Sequence, residues 1–314
     1  MKKTRRFSFL SVLAVSAGLF VAGCEAPVTQ TSPTTAPTGS GGPEARSAAS
    51  RAVSKHFARV QSDFLSRGLM RTDLGTTDAP FSRTQLEDNF VRIALFDEYT
   101  SSGGRIIAQR TPSNLRRWQQ PVRMRVEFGP SIGEEQRALD RKSINDFARR
   151  LGKVTRHDIA PTSAATANFH VLVLNEDDRR GYGPRLRQLV PGIDDIAVRT
   201  ITSMPRSTFC LVFAFSRSIE EGYIHAIAVI RGEHPDLLRL SCIHEELAQG
   251  LGLANDSPEA RPSVFNDDEE FALLTKHDEL LLRILYDRRL QPGMSAAEVR
   301  PILRQITTEL VGAG

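Results

Sequence analysis

Residues 208–252 constrain the fold more than any other stretch of this chain. Two apolar runs, Phe209 to Phe215 and His225 to Ile230, are joined by the polar segment Ser216 to Tyr223 and followed by a long helical pattern. Short runs rich in Val, Ile and Phe between polar segments read as strands. The helix opens near Pro235-Asp236, where proline is tolerated in the first turn and aspartate can cap, and runs to about Gly252. Leu240, Ile243, Leu247 and Leu251 form one apolar stripe, while Glu245 and Gln249 fall on nearly the opposite face.

The remaining pattern mixes both element types. Ala45 to Leu69 reads as an amphipathic helix, with Ala52, Phe57, Val60, Phe64 and Leu69 approximating the face of an arm packed on the body. Phe90 to Leu95 and Arg105 to Ala108 flank Ser101-Ser102-Gly103-Gly104, the pattern of a β-hairpin. Val122 to Phe128 alternates apolar with charged residues, as a half-buried strand does. A helix from Glu134 to Leu151, a strand from Phe169 to Leu174 and a polar excursion to about Pro205 follow. Helices from Asp278 to Tyr286 and from Ala296 to Leu310 complete the order, which is α+β and without internal repeat.

Charge argues against nucleic acid. The chain carries 41 Lys and Arg against 37 Asp and Glu, but Lys2, Lys3, Arg5 and Arg6 stand in residues 1–23, which hold no acid. Taking those four away leaves 37 of each sign, so no general polyanion surface is expected. Behind the four cations, the apolar run from Phe7 to Ala22 is too short for a comfortable membrane span and reads as a secretory signal. Its end, Val21-Ala22-Gly23-Cys24, resembles the bacterial lipobox, which implies acylation of Cys24 with palmitate-like chains and cleavage before it. Each buried methylene of such chains contributes about 0.8 kcal/mol to membrane attachment. Glu25 in place of an aspartate favours the outer membrane over the inner. Residues 24–50 are dominated by Pro, Thr, Ser, Gly and Ala, too poor in apolar surface to fold, and form a tether reaching into the periplasm. In that oxidising compartment Cys210 and Cys242 are candidates for a disulfide between strand and helix, with two buried thiols as the alternative.

The stretch from Cys242 to Asp256 carries the functional expectation. Glu245-Glu246-Leu247-Ala248-Gln249-Gly250-Leu251-Gly252-Leu253-Ala254-Asn255 resembles the active-site helix of metzincin zinc peptidases, whose pattern is HExxHxxGxxH or HExxHxxGxxD. The resemblance puts Glu245 and Gln249 at the two histidine positions, Glu246 at the general base, and Asn255 or Asp256 at the third ligand. Pro262-Ser263-Val264-Phe265 stands where such peptidases place a Met-turn, with Phe265 replacing the methionine, and Leu274 to Tyr286 resembles their final helix. It implies a metzincin-like twisted mixed sheet with an active-site-type helix and a C-terminal helical part. A glutamine amide binds zinc poorly, so zinc chemistry is weakened, and His244 cannot rescue it because Ala248 stands four residues on. The same face also reads as a structural or solvated one. Asp267, Asp268, Glu269 and Glu270 add an oxygen-rich run of the kind that suits calcium, without the spacing of an EF-hand.

Over Ser241 to Met294 the chain is also similar to the proteobacterial lipoproteins grouped as domain of unknown function 2927. The residues carrying this are Glu245 to Gln249, Asn255-Asp256, Phe265 to Asp268, Leu285-Tyr286-Asp287 and, upstream, Leu115-Arg116-Arg117-Trp118. Arg116 and Arg117 read as surface residues or as a receptor for an anion, and Trp118 as core. The expected organisation is a signal peptide at 1–23, the tether at 24–50, a helix and hairpin region at 51–120, a metzincin-like domain at 121–290 and a terminal helix at 291–314. The expected role is that of a lipid-anchored, non-catalytic module holding a peptide or envelope partner, with no cofactor. The alternative is a zinc- or calcium-dependent hydrolase, most simply a peptidase, with Glu246 as base.

Overall fold

The computed structural model describes residues 45–75, 78–102 and 105–312. Cys24, the signal segment and most of the tether lie outside them, as do Gly103 and Gly104 of the expected hairpin turn. The described residues belong to one compact unit, Gly41–Gly314, and form an α+β architecture around a five-stranded mixed sheet.

The sheet is built from β3 (Val122–Phe128), β4 (Ile159–Pro161), β5 (Phe169–Leu174), β6 (Cys210–Ser216) and β7 (Tyr223–Arg231), in the order β4-β3-β5-β7-β6. β4, β3, β5 and β7 run parallel, and β6 closes the edge antiparallel to β7, with Cys210 opposite Ile230 and Phe215 opposite His225. β5 lies at the centre with every residue buried, as its unbroken apolar run requires of a strand covered on both faces.

One face carries the main core. Helices α2 (Arg83–Ala94), α3 (Glu134–Thr155), α7 (Asp236–Gln249), α8 (Lys276–Leu285) and α9 (Ala296–Val311) pack there around Trp118, Phe169, Leu247 and Leu285. The segment expected as a polar excursion is instead three short helices, α4 (Glu176–Arg180), α5 (Gly183–Leu189) and α6 (Asp195–Thr202). Their few apolar residues, Leu186, Leu189 and Ile201 among them, cover Leu172, Leu174, Ile227 and Val229 on the opposite face. The amphipathic arm is α1 (Ala48–Ser66), docked through Val53 and Phe57 onto Leu238 and through the Ser50 hydroxyl, 2.7 Å from Glu233.

One expected strand is a helix. Phe90 to Leu95 ends α2, because Ser82 and Gln85 form a capping box that starts helical bonding eight residues earlier. Leu86, Phe90, Ile93 and Ala94 then share one buried face, so a six-residue apolar run read in isolation gave the wrong period. The hairpin survives one step later, as β1 (Phe96–Ser102) paired with β2 (Arg105–Pro112). Its second strand packs against α6.

Candidate functional site: the groove between the edge strand and the motif helix

α7 starts with Pro235 outside the helix as its N-cap, rather than in the first turn, and ends at Gln249. Ile243, Leu247 and Ala248 face the main core, as the stripe predicts. The other face is not solvated: Glu246 is 4% and Gln249 7% exposed, and Glu245 is half-buried. β6 and the loop from 254 to 269 rise on either side of it, and neither wall is visible from the helix's own sequence.

The chain turns sharply after α7. Gly252 has φ of +124°, and a Cβ there would lie 2.1 Å from the Arg116 carbonyl oxygen. Only glycine accepts both the dihedral and the approach. The Trp118 indole N–H donates to the Gly250 carbonyl at 2.8 Å, and the Tyr286 hydroxyl donates to the Leu251 carbonyl at 3.0 Å. The buried Arg117 guanidinium donates to the Leu285 and Asp287 carbonyls, at 2.9 and 3.1 Å, at the C-terminal end of α8. Arg116 pairs with Asp97. Arg117, expected at the surface, is therefore part of a buried clamp with Trp118 and Tyr286 that terminates α7 and α8, while Arg116 stands at the edge of the groove.

Beyond the turn, Asn255 is 1% exposed and is bound through its backbone and its side chain. Its N–H donates to the Ile93 carbonyl at 3.1 Å, and its amide donates to the carbonyls of Arg92 at 2.8 Å and Asp256 at 2.7 Å. It thus satisfies the open end of α2, a role that no local pattern announces. Gln249 donates to the Asp256 carboxylate at 2.8 Å. The turn of Pro262 to Phe265 is bracketed by Asp278 of α8, which accepts from the Ser263 hydroxyl at 2.5 Å and the Val264 N–H at 3.0 Å. Phe265 is fully buried beneath it. His244 points the other way, stacked on Phe147 with its Nδ1 accepting from the Leu274 N–H at 3.0 Å. Burial pushes its pKa down to about 3, which keeps it neutral and structural.

These elements enclose a groove of about 810 Å³. β6 forms one wall and Glu245, Glu246, Gln249 and Asp256 the floor, with Val264, Asn266, Asp267 and Glu269 opposite and Gln109 and Arg110 at the hairpin root. The disulfide between Cys210 and Cys242 joins that wall to the helix beneath. Although adjacent helix residues diverge by about 100°, Glu245 and Glu246 each bring a carboxylate oxygen within 4.8 Å of the other and of the Cys210 sulfur. Both side chains are long enough to bend towards the same space. Burial raises the pKa of Glu269 to about 7, aided by Asp267, whose own pKa burial also raises.

The donor set does not fit a zinc centre. Cys210, Glu245 and Glu246 are the one such group of three His, Cys, Asp or Glu ligand atoms among the described residues, and the sulfur is committed to the disulfide. Asn255 and Gln249, whose nitrogens donate within the protein, could offer only neutral amide oxygens, which bind zinc poorly. A structural or catalytic zinc takes three or four strong donors, and two carboxylates fall short. Nor does the acidic run gather for calcium: Glu270 bridges Arg71 and Arg261, while Asp267 and Glu269 face the groove.

Fold and site together define an α+β domain with a polar groove beside an open sheet edge. A family model described as protein of unknown function (DUF2927) matches residues 83–305, and the chain belongs to that family. No curated protein and no solved structure matches the chain.

Proposed function

We propose that this chain is a lipid-anchored envelope protein, attached at Cys24 to the outer membrane and facing the periplasm, whose folded part binds an extended peptide or envelope partner without catalysis. The observation that carries the binding role is the juxtaposition of β6 and α7. β6 is an edge strand half-buried from Val212 to Phe215, with no strand on its outer side among the described residues, and it lines the same groove as Glu245, Glu246 and Gln249. A strand edge beside a groove recognises extended chains by main-chain pairing, and the groove reads the alternate side chains. A metzincin-like ancestry is supported by the antiparallel edge strand over the motif helix, the glycine turn at Gly252 and the turn at Pro262 to Phe265. Loss of the chemistry is supported by a donor set that leaves two carboxylates where three ligands are needed. Among the described residues no helix is long and apolar enough to cross a membrane, so in this reading attachment rests on the acyl chains.

Metal analysis of the purified full chain tests this. The expected result is zinc well below one equivalent and no change in Glu245→Ala. Stoichiometric zinc that disappears in Glu245→Ala, with hydrolysis of peptide substrates, would replace this reading by that of a metallopeptidase using Glu246 as base.

A further inference from the structure

A second pocket, of about 250 Å³, opens where the segment before β3 meets the C-terminal ends of α3 and α8. It brings together Arg117, Arg156, His157 and Arg288 beside Trp118 and Tyr286, with no acidic side chain in its described lining. Arg117 is the buried member, 8% exposed, with its guanidinium 5.6 Å from the centre of the Tyr286 ring. Both of its bonds to the carbonyls that close α8 come from Nη1, whereas Nε is buried with no hydrogen-bond partner among the described residues. A buried, charged donor without an acceptor is costly, and an incoming oxygen removes that cost. Burial also lowers the Arg117 pKa below the ordinary arginine value, as for a cation short of counter-charge.

Arg156 and Arg288 are exposed and make no ion pair among the described residues. The acids close to them in sequence are occupied elsewhere, Asp158 by Arg123 at 2.7 Å and Asp287 by Arg289 at 2.8 Å. Arg156 ends α3 with φ of +56°, which turns the chain into His157, whose Nε2 lies 2.8 Å from the Gln120 carbonyl. Helix C-termini attract cations on their own account, but two such ends carry only about −1 together. Three arginines therefore leave an excess of about two positive charges.

We propose that this pocket binds a phosphate group as its dianion, free or as a monoester, through Arg117, Arg156 and Arg288. Arginine forks match phosphate oxygens two at a time, and the excess charge matches a dianion better than a carboxylate. The volume lies below the roughly 300–1,000 Å³ of clefts for drug-sized ligands, which suits a compact head group. The pair Arg116-Arg117 thus divides, since Arg116 has no part in this pocket. The site shares no lining residue with the groove beside β6, so either can fail without the other.

The test is isothermal titration calorimetry of the full chain at low ionic strength and about pH 8, where phosphate is mainly a dianion. The titrants are inorganic phosphate, glycerol 3-phosphate, monomeric dihexanoyl phosphatidic acid and acetate. The expected result is a Kd below about 1 mM for at least one of the three phosphates, at least about 10-fold tighter than for acetate. Whichever phosphate binds tightest identifies the source as the free ion, a small monoester or a lipid headgroup, and each of these supports the site. Arg156→Asn, which keeps a residue tolerant of left-handed φ, and Arg288→Gln should each weaken that binding at least about 5-fold at an unchanged urea midpoint. Arg59→Gln, exposed on α1 and outside the pocket, should leave it level. A Kd above about 1 mM for all three phosphates, or acetate as tight as phosphate, would overturn the proposal. So would losses in Arg59→Gln equal to those in the two pocket variants, by showing diffuse attraction in place of a site.

Discussion

Replacing both Cys210 and Cys242 by alanine removes the covalent tie between β6 and α7, the two elements that define the groove. The bridge spans 32 residues, and loop closure over that separation corresponds to about 3.7 kcal/mol of restriction in the unfolded chain. Both sulfurs are buried, so truncation adds a smaller packing loss in the same direction. The expected loss is about 4 kcal/mol. With a urea dependence of about 2.5 kcal/mol/M for a domain of this size, the midpoint should fall by about 1.6 M. Urea titration of oxidised wild type and the double variant, followed by tryptophan fluorescence, measures it, since Trp118 is buried in the core that α7 joins. A shift under about 0.4 M, at unchanged slope, would show that β6 keeps its place without the tie.

Asn255→Ala should destabilise by about 2–4 kcal/mol, since it leaves the carbonyl of Arg92, at the end of α2, and that of Asp256 without their side-chain donor. Glu245→Gln, in the groove, should stay within about 0.5 kcal/mol of wild type; equal effects in urea titrations would contradict these separate roles. His244 stays neutral in the fold down to about pH 3, whereas the unfolded chain protonates below about 6.5, so its contribution is complete above 6.5 and is lost as pH falls. His244→Asn, whose Oδ1 can accept from Leu274 in place of Nδ1, should therefore lose about 2 kcal/mol less stability than wild type between pH 7 and 5, and parallel pH profiles would contradict this. Cys24→Ser should abolish palmitate labelling and move the protein from the membrane to the soluble fraction; retention in the membrane would show a different attachment.

The strands β5, β6 and β7 were legible as short apolar runs between polar segments, β3 by its two-residue alternation, and α7 by the apolar stripe of Leu240, Ile243, Leu247 and Leu251. α2 was not, because Phe90 to Leu95 fits either period and its start lies upstream in the capping box at Ser82. The helices α4 to α6 were missed because they are short and contribute few apolar residues each to the second core. At the site, the spacing of Glu245, Gln249, Gly252 and Asn255 was readable. The burial of that face was not, since its walls come from β6 and from a loop beyond the turn. Asn255, Arg117 and Asp278 act through hydrogen bonds to backbone distant in sequence, and such bonds leave no local pattern. The solitary Trp118, directly after two arginines, was the one signal that this segment is built in.

In the proposed function an extended peptide pairs with the outer edge of β6. Hydrogen exchange of the amides from Cys210 to Ser216, with and without a saturating heptapeptide of alternating Thr and Val, tests it directly. The expected result is slowing of at least 10-fold at alternate residues along β6, and unchanged exchange in the covered strand β5. Exchange in β6 that is indifferent to a demonstrably bound peptide would place the binding surface elsewhere and rule out pairing at this edge.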